Sequence, residues 1–207
     1  MARSLKRRYD SSLRAEGADA TRRAVLEGAR TLFSKRGIDR VTIAEIAAKA
    51  GVASSTVFAL FKSKEGILRV LLQGALFGPR FQAAQAMLEG ITDPVVAVGR
   101  TAAISRAIYE SESDQVGLIR GASGFSVALR RLEEEFEAAR FSMQEERLRR
   151  LEGAGFLKRG ISFEEARRIM WMYTSRDVYR MLVHAGGWTP DRYESWLSQA
   201  LVSALVA

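Results

Sequence analysis

The segment from Thr42 to Lys62 constrains the fold of this chain more than any other. Thr42-Ile43-Ala44-Glu45 reads as a capping box, in which the threonine hydroxyl accepts from a backbone N–H one turn on and the glutamate reaches back. The short helix that it opens ends at Gly51, a residue free to take positive φ in a tight turn. A second short helix, about Ser54 to Phe61, follows. Two helices crossing so soon after one another need a small residue at the crossing, and Ala47 supplies it. Val57 is the inward residue of the second helix, and Ile46, Ala50, Val52 and Leu60 fill the other buried positions. The pattern is that of a helix-turn-helix, although an ordinary αα-corner fits the same spacing.

Elsewhere, strand signals are scarce and helical periodicity is nearly continuous. From Thr21, Val25, Ala29, Leu32 and Phe33 share one face, and Gly37 closes that helix. Ser63 caps a helix whose face carries Ile67, Val70, Leu71, Ala75 and Leu76. Gly78-Pro79 interrupts it, and a further helix resumes at Arg80. Asp93-Pro94 opens a segment running to about Tyr109. Glycines at 117, 121 and 124 break up the next stretch, and a long helix follows from about Val127 to Glu152. Ser162-Phe163-Glu164-Glu165 starts a helix expected to reach His184, and Thr189-Pro190-Asp191 starts the last. These signals predict an all-α chain.

Composition narrows the chemistry. There is no cysteine and one histidine, so neither a thiolate metal site nor a His-based triad is expected. The Glu133–Glu135 run and Glu145-Glu146 lie on a mixed-charge face, and no GxxxxGK phosphate loop occurs. The expectation is a non-enzyme with no metal and no cofactor. The formal charge of +8 is unevenly placed. Residues 1–70 hold 15 Lys+Arg against 7 Asp+Glu, whereas residues 71–207 hold 17 of each. A basic module followed by a neutral one is the layout of a DNA-binding domain joined to something else, and a merely solvated basic surface gives the same count. Residues 1–20 are read as a flexible basic arm, 21–70 as the DNA-binding domain and 71–207 as a second domain. No secretory signal and no membrane-spanning apolar run is present, so a cytoplasmic protein is expected.

If residues 42–62 form a helix-turn-helix, the N-terminal residues of its second helix face base edges in the major groove. Those are Ser54, Ser55 and Thr56, short hydroxyl groups that give adaptable readout. Lys62 and Lys64, just beyond, are expected to bind phosphate, as are the hydroxyl and backbone N–H of Thr42 at a helix N-terminus.

Residues 29–68 resemble the N-terminal domain of the TetR family of bacterial transcriptional regulators. The resemblance rests on Gly37, Thr42, Ile46-Ala47, Ala50-Gly51-Val52, Thr56, Phe58, Phe61 and Ser63-Lys64-Glu65. Where that family often has a tyrosine touching phosphate this chain has Phe58, which can still pack on the sugar-phosphate backbone. Its frequent lysine-glycine pair before the threonine is replaced by Ser54-Ser55, and a frequent histidine by Ala59 or Leu60.

The resemblance implies that residues beyond about 75 bind a small-molecule effector and form a homodimer through the last two helices. The apolar run Ile169 to Tyr173 and the stripe Tyr193, Trp196, Leu197, Ala200, Leu201 and Ala204 suit such an interface, expected from residues 163–184 and 190–205 of two copies. A central core helix in a monomer would look the same. Candidate effector-binding residues are Phe81, Met87, Ile104, Tyr109, Phe125, Phe141, Met143 and Trp171. Arg106 and Arg176 interrupt apolar stretches and are read as ion-paired or surface residues before ligand contacts, and His184 as a helix-end or surface residue. The function expected is a ligand-responsive transcriptional regulator, a repressor that binds a pseudo-palindromic double-stranded operator as a homodimer and is released by its effector. A non-regulatory architectural DNA-binding protein and a small helical enzyme remain as alternatives.

Overall fold

A computed structural model describes the chain except Met1, Val116, Ser123 and Phe125, and describes side chains except those of residues 1–15, 114–116, 118, 123 and 125. The described elements are helical, as the capping and periodicity signals predict: α1 (Ala2–Arg36), a 3-10 turn (Ile38–Arg40), α2 (Ile43–Ala50), α3 (Ser54–Phe61), α4 (Lys64–Leu76), α5 (Pro79–Ala86), α6 (Pro94–Gln115), α7 (Gly117–Ala122), α8 (Val127–Gly153), α9 (Phe163–Tyr173), α10 (Arg176–Tyr179) with a π-helical turn (Arg180–Ala185), and α11 (Pro190–Leu205). Among the described residues the β structure is one isolated bridge, Leu157 with Val206.

Contacts divide the chain into two units, Met1–Leu72 with Val116–Arg130, and Gln73–Gln115 with Arg131–Ala207. In this division α7 and the start of α8 group with the first unit. α7 packs on α1, burying Ile119. The backbone of residues 2–20, expected as an arm, is helical and continuous with α1.

In the first unit, Val25, Ala29 and Phe33 of α1 are buried with Ile38, Val41, Ile46, Ala47, Val57 and Phe61. α1 stops at Gly37, which takes φ 76° and donates its N–H to the Phe33 carbonyl at 2.8 Å. Arg36, at the helix end, then donates to the Arg40 carbonyl and to Glu45, both at 2.7 Å, fixing the turn onto α2.

In the second unit α6 runs along α11. The approach is close because Gly99 faces it: a Cβ there would lie 2.9 Å from Ser198 Oγ. Val98, Ala102, Leu148, Leu151, Met170, Tyr193, Leu197, Leu201 and Leu205 fill the surrounding core. Asp93 Oδ1 accepts the Val95 N–H at 2.8 Å at the start of α6, and Thr189 caps α11 with Pro190 in its first turn. Arg106 bridges Asp191 at 2.6 Å and Glu194 at 3.0 Å, joining α6 to the start of α11.

The helix expected from Ser162 to His184 is broken. Its capping box, Ser162 with Glu165, is present, but α9 ends at Tyr173. The Thr174 hydroxyl donates back to the Met170 carbonyl at 2.7 Å, and Ser175 caps a new helix by accepting from the Val178 N–H. Two hydroxyl residues in succession offer the backbone alternatives to continuing the helix.

Candidate nucleic-acid interface

The axes of α2 and α3 are bent by 107° from one another, within the range of helix-turn-helix motifs. Gly51 makes the bend possible with φ 70° and ψ 31°, a left-handed conformation that costs a residue with a Cβ about 1–2 kcal/mol. Ala47, Ile46 and Val57 are buried at the crossing, as expected, while Ala50, Val52 and Leu60 are half-buried around it. Below α3, Gly66 lets α4 pass directly under the Phe61 carbonyl, where a Cβ would come within 2.0 Å of the oxygen.

With Val57 and Phe61 turned inward, α3 presents Ser54, Ser55, Phe58 and Ala59 to solvent, and Thr56 half-buried beside them. Phe58 is 59% exposed, the highest value among the exposed large hydrophobic side chains described. Ala53 sits at the N-cap of α3 and offers no side-chain bond to it. The positive end of α3 therefore faces outward beside the two serines.

Lys62 terminates α3 with φ 66° and ψ −38°, and it is the non-glycine residue with positive φ among those described. Its N–H donates to the Phe58 carbonyl at 2.9 Å, and its exposed side chain stands at the edge of the α3 face. Lys64 is placed differently from Lys62. Its ammonium donates to the Ile38 carbonyl at 3.0 Å and is partly buried, so it pins the start of α4 to the turn after α1.

Thr42 is engaged within the motif as well. Both donors foreseen for phosphate, its N–H and its hydroxyl, go instead to Glu45 Oε2 at 2.7 and 2.8 Å, while its oxygen accepts from the Glu45 N–H at 3.2 Å. Glu45 is anchored in turn by Arg36. That hydrogen bond, and then those from Thr42, hold the Glu45 carboxyl at about 2, well below the ordinary glutamate range.

A cavity lies in the second unit, lined by Phe81, Gln85, Thr101, Ile104, Ser105, Ile108, Tyr109, Arg140, Met143, Gln144, Arg147 and Thr174. It has about 20 Å³ of room for water-sized spheres, space for about one water. Four expected residues, Phe81, Ile104, Tyr109 and Met143, line it. Met87 points to solvent at 55% exposure, and Phe125 lies outside the described residues. Phe141 and Trp171 pack edge to face against each other, with Arg167 and Arg168 over the Phe141 ring. A search for aromatic and methionine side chains misses the polar half of the lining. There, Tyr109 donates to the Thr174 carbonyl at 2.8 Å, and Ser105 pairs with Tyr193 at 3.0 Å. Burial pushes both tyrosine hydroxyls up from their ordinary range.

Arg176 bridges Glu112 at 3.0 Å and Glu133 at 3.6 Å, and His184 Nε2 lies 3.0 Å from Ser113 Oγ. Among the described residues no cluster of His, Cys, Asp or Glu is suited to a metal, and no single helix is long and apolar enough to cross a membrane.

Residues 25–71 match the model of a family described as bacterial regulatory proteins, tetR family. A stretch of 52 residues is 40% identical to the uncharacterized HTH-type transcriptional regulator YvkB of Bacillus subtilis (strain 168), covering 25% of this chain and 28% of that protein. Little more than a quarter of that relative is thus matched. Likeness to solved structures extends along the chain. NalD, the secondary repressor of the MexAB-OprM multidrug efflux pump in Pseudomonas aeruginosa, superposes with a TM-score of 0.71 at 20% identity, over 91% of this chain and 98% of NalD. SmeT in its complex with triclosan gives 0.66 at 19% identity, over 91% of this chain and 92% of SmeT. At those identities the likeness shows the fold.

Proposed function

Because this chain belongs, through its N-terminal domain, to the tetR family of bacterial regulatory proteins, we propose that it is a ligand-responsive transcriptional repressor acting on DNA in the cytoplasm. Two copies bind a pseudo-palindromic operator, each inserting α3 into a major groove. The observation that carries the reading is the outward face of α3: Ser54, Ser55 and Phe58 exposed at an uncapped helix N-terminus, with Lys62 at the far end, on a helix whose other face is fixed by Val57 and Phe61. Ser54, Ser55 and Thr56 read base edges, Phe58 packs on the backbone, and Lys62 binds phosphate. Lys64 and Thr42 act mainly by holding the motif in shape, with Lys64 adding positive charge near the phosphates.

The cavity of the second unit is the effector site in this reading. SmeT, which shares the fold, is known in complex with triclosan. An effector that binds better to the DNA-incompetent arrangement shifts the population toward release, and operator and effector then weaken each other's binding reciprocally.

Selection of duplexes from a random-sequence DNA library by the full-length chain tests the proposal. The expected product is an inverted repeat with half-site centres about 34–36 Å apart. Binding with no enriched sequence would overturn the operator-specific reading in favour of an architectural role.

A further inference from the structure

Two arginines line the cavity, and they stand in opposite states. Arg140 is buried and fully engaged, donating to Glu137 at 2.5 Å, to the Trp171 carbonyl at 2.9 Å and to Thr174 Oγ1 at 2.7 Å. Arg147 is half-buried, and its hydrogen-bond acceptor is the neutral amide oxygen of Gln85 at 3.0 Å. No carboxylate among the described residues lies within ion-pair distance of it. Burial lowers its affinity for a proton, and the charge that opposes this is the neighbouring exposed Glu146.

Arg147, Gln85 and Met143 also line a groove of about 340 Å³ that includes Leu88, Glu146 and Arg150, so Arg147 stands where cavity and groove meet. Arg150 is directed to the Ile91 carbonyl at 2.9 Å. Deeper in, Gln144 is 5% exposed and donates its amide N–H to Thr174 Oγ1 at 2.7 Å, but its buried carbonyl oxygen meets no protein donor. A half-desolvated guanidinium whose hydrogen-bond acceptor is an amide, above an apolar wall of Phe81, Ile104 and Ile108, favours a ligand that brings its own negative charge.

We propose that the effector is an amphipathic organic anion, a carboxylic acid or chemical equivalent, whose charged group pairs with Arg147 and whose apolar body occupies the groove and widens the water-sized cavity beside it on binding. A hydroxyl or amide donor on that body would satisfy Gln144. The proposal rests on the reading of this cavity as the effector site.

The test is thermal unfolding of the full-length chain with hexanoate, octanoate, decanoate, phenylacetate and naphthaleneacetate, each set beside the alcohol and the amine of the same body. At least one acid is expected to raise the melting temperature by about 5 °C at saturation while its alcohol and amine do not. Arg147→Gln should abolish the advantage of the acid, and Arg147→Lys should keep part of it. If the alcohols stabilise as well as the acids, if Arg147→Gln keeps the preference, or if no acid in the panel binds, the proposal is overturned. Operator binding, measured separately without effector, is untouched by any of these results. An acid that binds through Arg147 but leaves the operator complex intact would instead count against ligand-controlled release.

Discussion

Arg140 Nη1 donates to Thr174 Oγ1 at 2.7 Å, at the residue where α9 gives way to α10. The same oxygen accepts from Gln144, so one hydroxyl serves two buried donors of α8 and itself donates to Met170. Thr174→Val keeps the shape and removes the oxygen. It leaves the Gln144 amide N–H unsatisfied and removes one of the acceptors of Arg140, which keeps the Trp171 carbonyl and Glu137, at a cost of about 1–3 kcal/mol. Urea denaturation should show this loss for Thr174→Val and recover most of it in Thr174→Ser. A valine variant as stable as wild type would mean that the network does not stabilise the break.

Glu45 gives the first unit a dependence on acid. Its carboxyl is held at about 2 by Arg36 and then by Thr42, against about 4.3 in an unfolded chain. A pKa depressed by folding contributes stability above the unfolded value and loses it as pH falls through the folded one. Wild type and Glu45→Gln should therefore differ in urea midpoint at pH 7, and the gap should close between about pH 4.3 and pH 2. Thr42→Ala should cost about 0.5–2 kcal/mol through the lost cap. A gap that stays constant down to pH 2 would contradict the assignment.

What could be read ahead of the structure was what is local in the chain. The Thr42 capping box, the helix start at Ser162, the glycine closing α1 and the Ala47–Gly51–Val57 spacing each depend on residues within a turn or two, and all are present. The break at Thr174 has a local source in two successive hydroxyl residues, but the buried donors that engage it, Arg140 and Gln144, lie more than a helix away in sequence, and periodicity carries no trace of such partners. Residues 2–20 are helical, and the four-residue spacing of Leu5, Tyr9 and Leu13 was the signal that their basic composition overshadowed. The cavity was half legible: apolar Phe81, Ile104 and Met143 stand out in a sequence, whereas Thr101, Ser105 and Gln144 look like any polar helix residues until folding buries them.

Lys62 combines a strained backbone with its proposed contact to phosphate. At φ 66° a glycine is more comfortable than a lysine, so Lys62→Gly should raise stability by about 1 kcal/mol. The same change should lower affinity for specific and random DNA alike and reduce the slope of log affinity against log salt by about 1. Lys62→Ala should show the DNA effects without the stabilisation. DNA affinity unchanged at low salt in both variants would remove Lys62 from the interface.

Phe58 and Thr56 separate affinity from selectivity. Phe58 is exposed, and in the proposed orientation of α3 a tyrosine hydroxyl there would reach a phosphate, so Phe58→Tyr should tighten binding to all duplexes by about 1 kcal/mol. Thr56→Ala should relax preference at one position of each half-site, by about 1–3 kcal/mol of discrimination. Competition titrations with operator and scrambled duplexes measure both. If Phe58→Tyr sharpened selectivity and Thr56→Ala left it intact, the orientation proposed for α3 would be wrong.

The proposed homodimer makes the most direct demand on the second unit. Met172 and Met181 are 51% and 52% exposed, and α11 adds half-buried Trp196 and Ala200. Large apolar side chains left in water on neighbouring elements favour a partner surface. Sedimentation at micromolar concentration should give twice the chain mass of 22.9 kDa. Met172→Asp with Met181→Asp should shift the species to monomer, because two carboxylates cannot be buried against an apolar partner without desolvation. Operator binding should then fall far more than binding to one isolated half-site, since one recognition helix remains intact while the second is no longer tethered beside it. A wild-type chain that sediments as a monomer, or a double variant that stays dimeric, would refute this placement of the interface.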